Sequence, residues 1–123
     1  MRRNVSLSFT FCVLVSAMAF SQPILPPGGV VSAASLYPLG APGYQLSPGA
    51  IVSIFGSNLS TSSVGVGATF VNGALPTTLG GASVTIGGVA AGLYYASAGQ
   101  INAQVPYTVA LGPAVPVVVA RPL

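Results

Sequence analysis

The chain reads as an all-β protein, a sandwich or barrel, and three observations carry that reading. Beyond residue 22, Gly and Pro recur too closely for a helix, and the strong helix formers Glu and Lys are missing. Short β-branched runs alternate with turn residues, the pattern of an antiparallel sandwich or barrel. Gly87-Gly88 separates two such runs by two residues, the signature of a tight hairpin with a primed turn.

The first segment is not part of that fold. Arg2 and Arg3 precede an apolar run, "VSLSFTFCVLVSAMAF", from Val5 to Phe20. The small residues Ala17 and Ala19 then flank Met18. A positive start, an apolar centre and small residues at the end make residues 1–21 a secretory signal peptide. Cleavage is expected after Ala19 or Ser21. The alternative is a retained membrane anchor, although the run falls short of the roughly 20 residues that span a bilayer. Cys12 is the only cysteine, and it lies in the middle of this segment rather than at a lipoprotein cleavage site. Removal of the leader therefore leaves a domain with no thiol and no disulfide. Roughly 100 residues remain, enough for one small core. The expected location is the periplasm, the cell surface or the medium, with membrane contact only through an uncleaved leader.

Residues 22–29 contain Pro23, Pro26, Pro27, Gly28 and Gly29 and read as an extended tether. Residues 30–123 read as the domain. Strands are expected at 30–35, 51–55, 82–86, 89–95, 100–105 and 115–120. Ser47-Pro48-Gly49 forms a turn ahead of the second strand, and Gly56-Ser57-Asn58 ends it. Asn58-Leu59-Ser60 matches a glycosylation acceptor but reads more simply as that strand exit. Residues 60–81 are loop-rich, with Asn72-Gly73 placed to turn a small hairpin between Phe70 and Leu75. In the Gly87-Gly88 hairpin, pairing Ile86 with Val89 puts Val84 opposite Ala91 and Ala82 opposite Leu93, all apolar and on one face. Alternation then places Tyr95 on the apolar face and Tyr94 on the other. Pro106 ends the 100–105 run, and Pro116 marks 115–120 as an edge or irregular strand.

The chemistry is bounded by what the chain lacks. It has no Asp, Glu or His, and its net charge of +3 comes from Arg2, Arg3 and Arg121. Two of those lie in the leader, so no basic face exists for nucleic acid. General acid–base catalysis, serine nucleophiles and metal sites all need side chains that the domain does not have. The expectation is no enzyme, no cofactor and no metal site. "GVGATFVNG" (65–73) fits no phosphate-binding loop and reads as glycines serving turns.

One stretch invites a binding role. In "GQINAQVPY" (99–107), Gln100, Asn102 and Gln104 alternate with Ile101, Ala103 and Val105. The amides line one face of a strand without a charge among them. Such a face either hydrogen-bonds nearby loop backbone or contacts a sugar, with Tyr94 or Tyr107 as a stacking platform. Tyr94, Gln100, Asn102, Gln104 and Tyr107 are the candidate ligand residues. The same lack of charge removes the Lys and Glu that normally guard sheet edges. A structural or interaction module is the leading expectation, with other protein domains or a second copy as partner through edge strands. A carbohydrate-binding module is the alternative, with a glycan as partner.

Several segments together resemble a known bacterial family: "VVSAAS" (30–35), "SPGAIVSIFGSNL" (47–59) and "LPTTLGGASVTIGGVAAGLYYASAGQINAQVPY" (75–107). The chain is similar over residues 29–120 to the Solibacter uncharacterised C-terminal domain of secreted acidobacterial proteins. The first half of that domain resembles immunoglobulin-like folds of the IPT/TIG type. The shared positions include Pro48-Gly49, Phe55-Gly56, Leu79-Gly80-Gly81, Tyr95, Gly99 to Asn102 and Val105-Pro106-Tyr107. The resemblance implies an immunoglobulin-like sandwich and no catalytic residue. Ala98 stands where the family has Pro, and Thr108 where it often has an acid. The family region runs on past the valine-rich run, so the resemblance implies one of two things here: a fragment or truncated product that lacks the closing strand, or a minimal version that is complete without it.

Overall fold

The computed structural model describes residues 22–39, 46–110 and 115–122. The leader, with its expected cleavage site, lies outside them. Among the described residues there is no helix, and hence none long and apolar enough to cross a membrane. The chain forms β1 (Val30–Ser32), β2 (Ile51–Phe55), β3 (Val66–Gly67), β4 (Thr78–Leu79), β5 (Ala82–Ile86), β6 (Val89–Ala90), β7 (Gly92–Ala96), β8 (Gln100–Gln104) and β9 (Val117–Ala120).

These strands make two antiparallel sheets, a β-sandwich. The larger has the order β1-β2-β8-β7-β3. In the smaller, β5 is central. β9 pairs with Ser83 to Ile86 of β5, while β4 and β6 share the opposite edge of β5. One core lies between the sheets. Val52, Ile54, Leu93, Ala96, Ile101 and Ala103 come from the larger sheet, and Ala82, Val84 and Ile86 from the smaller, each of them buried. Leu59, Ala91 and Val105 complete it from the connections. The inner residues follow the period of two that a half-buried strand requires.

The turns follow local chemistry. Gly87 and Gly88 have φ of 61° and 82°, so both central residues take the left-handed conformation that a primed hairpin turn demands. Ile86 pairs with Val89, and the Ala91 N–H donates to the Val84 carbonyl at 2.9 Å. Asn72 and Gly73, with φ of 53° and 77°, turn a miniature hairpin closed by reciprocal bonds between Val71 and Ala74. Asn72→Ala should cost about 1 kcal/mol, because alanine lacks the polar side chain that eases the left-handed conformation. Urea unfolding of the variant beside the parent measures that difference. The Ala50 N–H donates to the Ser47 carbonyl across Pro48-Gly49.

The structure corrects expectations about the strands. The run 89–95 is two strands, not one. After Ala90 the chain leaves β5, and Gly92–Ala96 joins the other sheet beside β8, so Ala82 does not pair with Leu93. Tyr95 is not on the core face. A bulge between Leu93 and Tyr95 inserts an extra residue, and both Leu93 and Ala96 are buried with two tyrosines between them. The stretch 60–81 is loop-rich as expected, and it also holds the two-residue strands β3 and β4. The first strand stops at Ser32, where the serine Oγ accepts bonds from the Ala34 and Ser35 N–H groups and turns the chain.

The expected extended tether holds only in part: Pro26 to Gly29 form a turn, with the Gly29 N–H donating to the Pro26 carbonyl at 3.0 Å and Gly28 at φ 75°, and the segment ahead of it is docked. Ile24 and Ser57 exchange backbone bonds of 2.9 and 3.0 Å, and Leu25 packs against the core. Gly56 makes this approach feasible, because a Cβ there would strike the Ile24 carbonyl.

The sheet edges are unequal. The open side of β1 is occupied by the chain's own residues, since the Ser32 N–H donates to the Tyr37 carbonyl and the Leu39 N–H to the Val30 carbonyl. β3, β4 and β6 are two residues each. β9 is four residues long and, among the described residues, pairs with β5 alone. The Gly87 N–H donates to the Pro116 carbonyl. In that register Val118 and Ala120 bond to β5, whereas the N–H and C=O groups of Val117 and Val119 point to the other side.

Candidate ligand face

Gln100, Asn102 and Gln104 project from β8 on the side away from the core, and all three are half-buried. Register assembles the rest of this face. Ser53, Asn102, Tyr95 and Gly67 lie in one row across β2, β8, β7 and β3. Phe55 pairs with Gln100, and Gln104 sits between Ile51 and Gly92. Within the amide row, Gln100 Nε2 donates to Asn102 Oδ1 at 3.0 Å. Gln104 Nε2 donates to the Gly49 carbonyl at 3.2 Å. Each amide bond made inside the protein leaves further donor and acceptor capacity on the same groups.

The bulge decides where the tyrosines go. Two residues of β7, Tyr94 and Tyr95, oppose the single Asn102. Tyr95 lies across the edge of the sheet, because its ring occupies the space that a side chain at Gly65 would need. Tyr94 is 37% exposed and meets Phe70 edge to face, with ring centroids 6.4 Å apart. That geometry suits the quadrupoles of two aromatic rings and gives Tyr94 a packed support. Phe70 is itself 58% exposed. Tyr107 is at the other end. Its ring packs on Gly49, where an added Cβ would lie 2.7 Å from Cε1.

The five expected ligand residues therefore divide into two groups. Tyr94, Gln100 and Asn102 come together around the bulge. Gln104 and Tyr107 meet near Gly49. Tyr95 and Phe70 belong to the first group and were not among the expected residues. Phe70 stands alone between turn residues, and only the turn at Asn72-Gly73 hints that it folds back.

The face is electrically neutral. Arg121 is the only charged side chain among the described residues, and its Nη1 donates to the Ser60 carbonyl at 3.1 Å. Among the described residues no group of His, Cys, Asp or Glu gathers to hold a metal ion. Hydrogen bonding and ring contact are what the arrangement offers chemically. No family model, curated protein or solved structure matches the chain.

Proposed function

We propose that this chain is an exported, non-enzymatic interaction module of immunoglobulin-like type, working at or beyond the cell surface by pairing its edge strand β9 with a strand of a second copy. One observation carries the proposal: β9 is the longest edge strand and is bonded on one side only among the described residues. The other edges are short or covered. Val118 faces outward at 55% exposure, and no Lys or Glu stands near to repel a partner. Pro116 and Pro122 bracket the strand and limit the pairing to the residues between them. Strand addition supplies affinity through main-chain bonds, which suits a surface with almost no charge. The leader-like start supports export, and the shared positions of residues 29–120 support kinship with the secreted acidobacterial domains. The lack of any acid, base or thiol in the domain supports a role without catalysis.

Sedimentation velocity of the purified chain across a wide range of concentration tests the proposal. The expected result is reversible association, lost in Val118→Lys and kept in Val64→Lys, a charge placed on a loop residue that is 72% exposed. A parent protein that stays monomeric at high concentration contradicts it.

A further inference from the structure

We infer that the bulge face of the larger sheet, centred on Tyr94 and Asn102, binds a neutral carbohydrate. This site is separate from edge strand β9 and does not depend on the association proposed for it. Three features converge there. The bulge sets Tyr94 and Tyr95 opposite Asn102, so an aromatic ring and an amide share one spot on the sheet. Bulges recur where a strand must redirect a side chain. Tyr94 is exposed and meets Phe70 edge to face at the surface, so part of its ring stays presented outside the core. Gln100 and Asn102 are bonded to each other at 3.0 Å, which holds both amides in place, while among the described residues Asn102 Nδ2 and Gln100 Oε1 have no partner and can bond outward.

These features select the ligand class. An amide donates and accepts at once, which matches a hydroxyl that does the same. An exposed aromatic ring matches the C–H face of a pyranose. The face carries no formal charge, and the one arginine among the described residues is bonded to Ser60. An anionic polymer finds no partner here, and a cationic one finds no carboxylate. A neutral, polyhydroxylated chain is the ligand whose chemistry the face complements.

Titration calorimetry of the purified full chain with cellohexaose, chitohexaose and maltohexaose tests the inference, with polygalacturonate as the charged contrast. Saturable binding of at least one neutral oligosaccharide is expected. Tyr94→Ala should weaken it roughly three- to tenfold and Asn102→Leu roughly fivefold. Tyr94→Phe keeps the ring and should bind within about twofold of the parent. Thermal unfolding of each variant shows that the fold is retained, and Val118→Lys should leave sugar binding unchanged. That variant separates the two proposals, since it removes association alone. The inference is overturned by no binding to any of the neutral oligosaccharides, by binding to polygalacturonate alone, or by a folded Tyr94→Ala protein that binds as the parent does. It is also overturned if Tyr94→Ala abolishes self-association and leaves sugar binding intact, since the face would then be a contact between copies.

Discussion

Leu93→Ala is expected to lower the free energy of unfolding by about 3 kcal/mol, the usual cost of emptying a fully buried leucine site. Leu93 is wholly buried in β7 and packs in the core between the sheets. In a domain of this size that loss lowers Tm by roughly 12–24 °C, and against a total stability of about 5–15 kcal/mol it removes a large share. The neighbours make the experiment discriminating. Ala96 is also wholly buried, so Ala96→Asp places an unpaired carboxylate in the core and should prevent folding. Tyr94→Ala removes an exposed ring and its contact with Phe70, and should cost no more than about 1 kcal/mol. A strand without the bulge gives a different order, in which Tyr95 is the core residue and Ala96 tolerates the acid. Urea unfolding of the three variants beside the parent decides between the two arrangements.

The second large effect lies where the chain enters the domain. Gly56→Ala should destabilise by about 2–3 kcal/mol, because its Cβ would collide with the Ile24 carbonyl and neither side of that contact is a flexible side chain. Relief requires residues 22–25 to lift away. Two backbone bonds between Ile24 and Ser57 are then lost, at about 1 kcal/mol each, together with part of the packing of Leu25. The damage is local. Hydrogen exchange should accelerate at the Ile24 and Ser57 amides, while the Val84 to Ile86 amides in the centre of the other sheet keep their relative protection. A variant in which Ile24 stays protected shows that the entry segment is not held by this contact.

Much of the fold is legible in the sequence, and its illegible parts have physical causes. β2 and β5 fall where runs rich in β-branched residues stand between turn signals, and Gly87-Gly88 names its own turn. The switch of sheets at Ala91 is invisible to alternation. Both sheets face the same core, so Ala91 in one setting and Leu93 in the other are buried alike, and the period of two runs on unbroken across the change. The bulge at Tyr94 is hidden for another reason. It depends on space at Gly65, which is far along the chain, and on the register of β8. β3 and β4 are too short to show any period. The amide row of the candidate site was readable from β8 alone, since Gln100, Asn102 and Gln104 repeat every second residue. Phe70 and Tyr95 were not, because a contact across strands brings them to it.

The absence of charge links the two proposed binding surfaces. With few repulsive groups on its edges, the domain depends on shortness and on coverage by its own residues to keep strands from pairing, and among the described residues β9 has neither. Backbone direction along β9 offers the most direct test. Val118 and Ala120 donate to β5, whereas the amides of Val117 and Val119 face outward. Residue-resolved hydrogen exchange over a concentration series should find Val118 and Ala120 protected throughout. Val117 and Val119 should exchange fast in dilute solution and slow down together as the protein is concentrated. Fast exchange at Val117 and Val119 at every concentration would contradict pairing through β9.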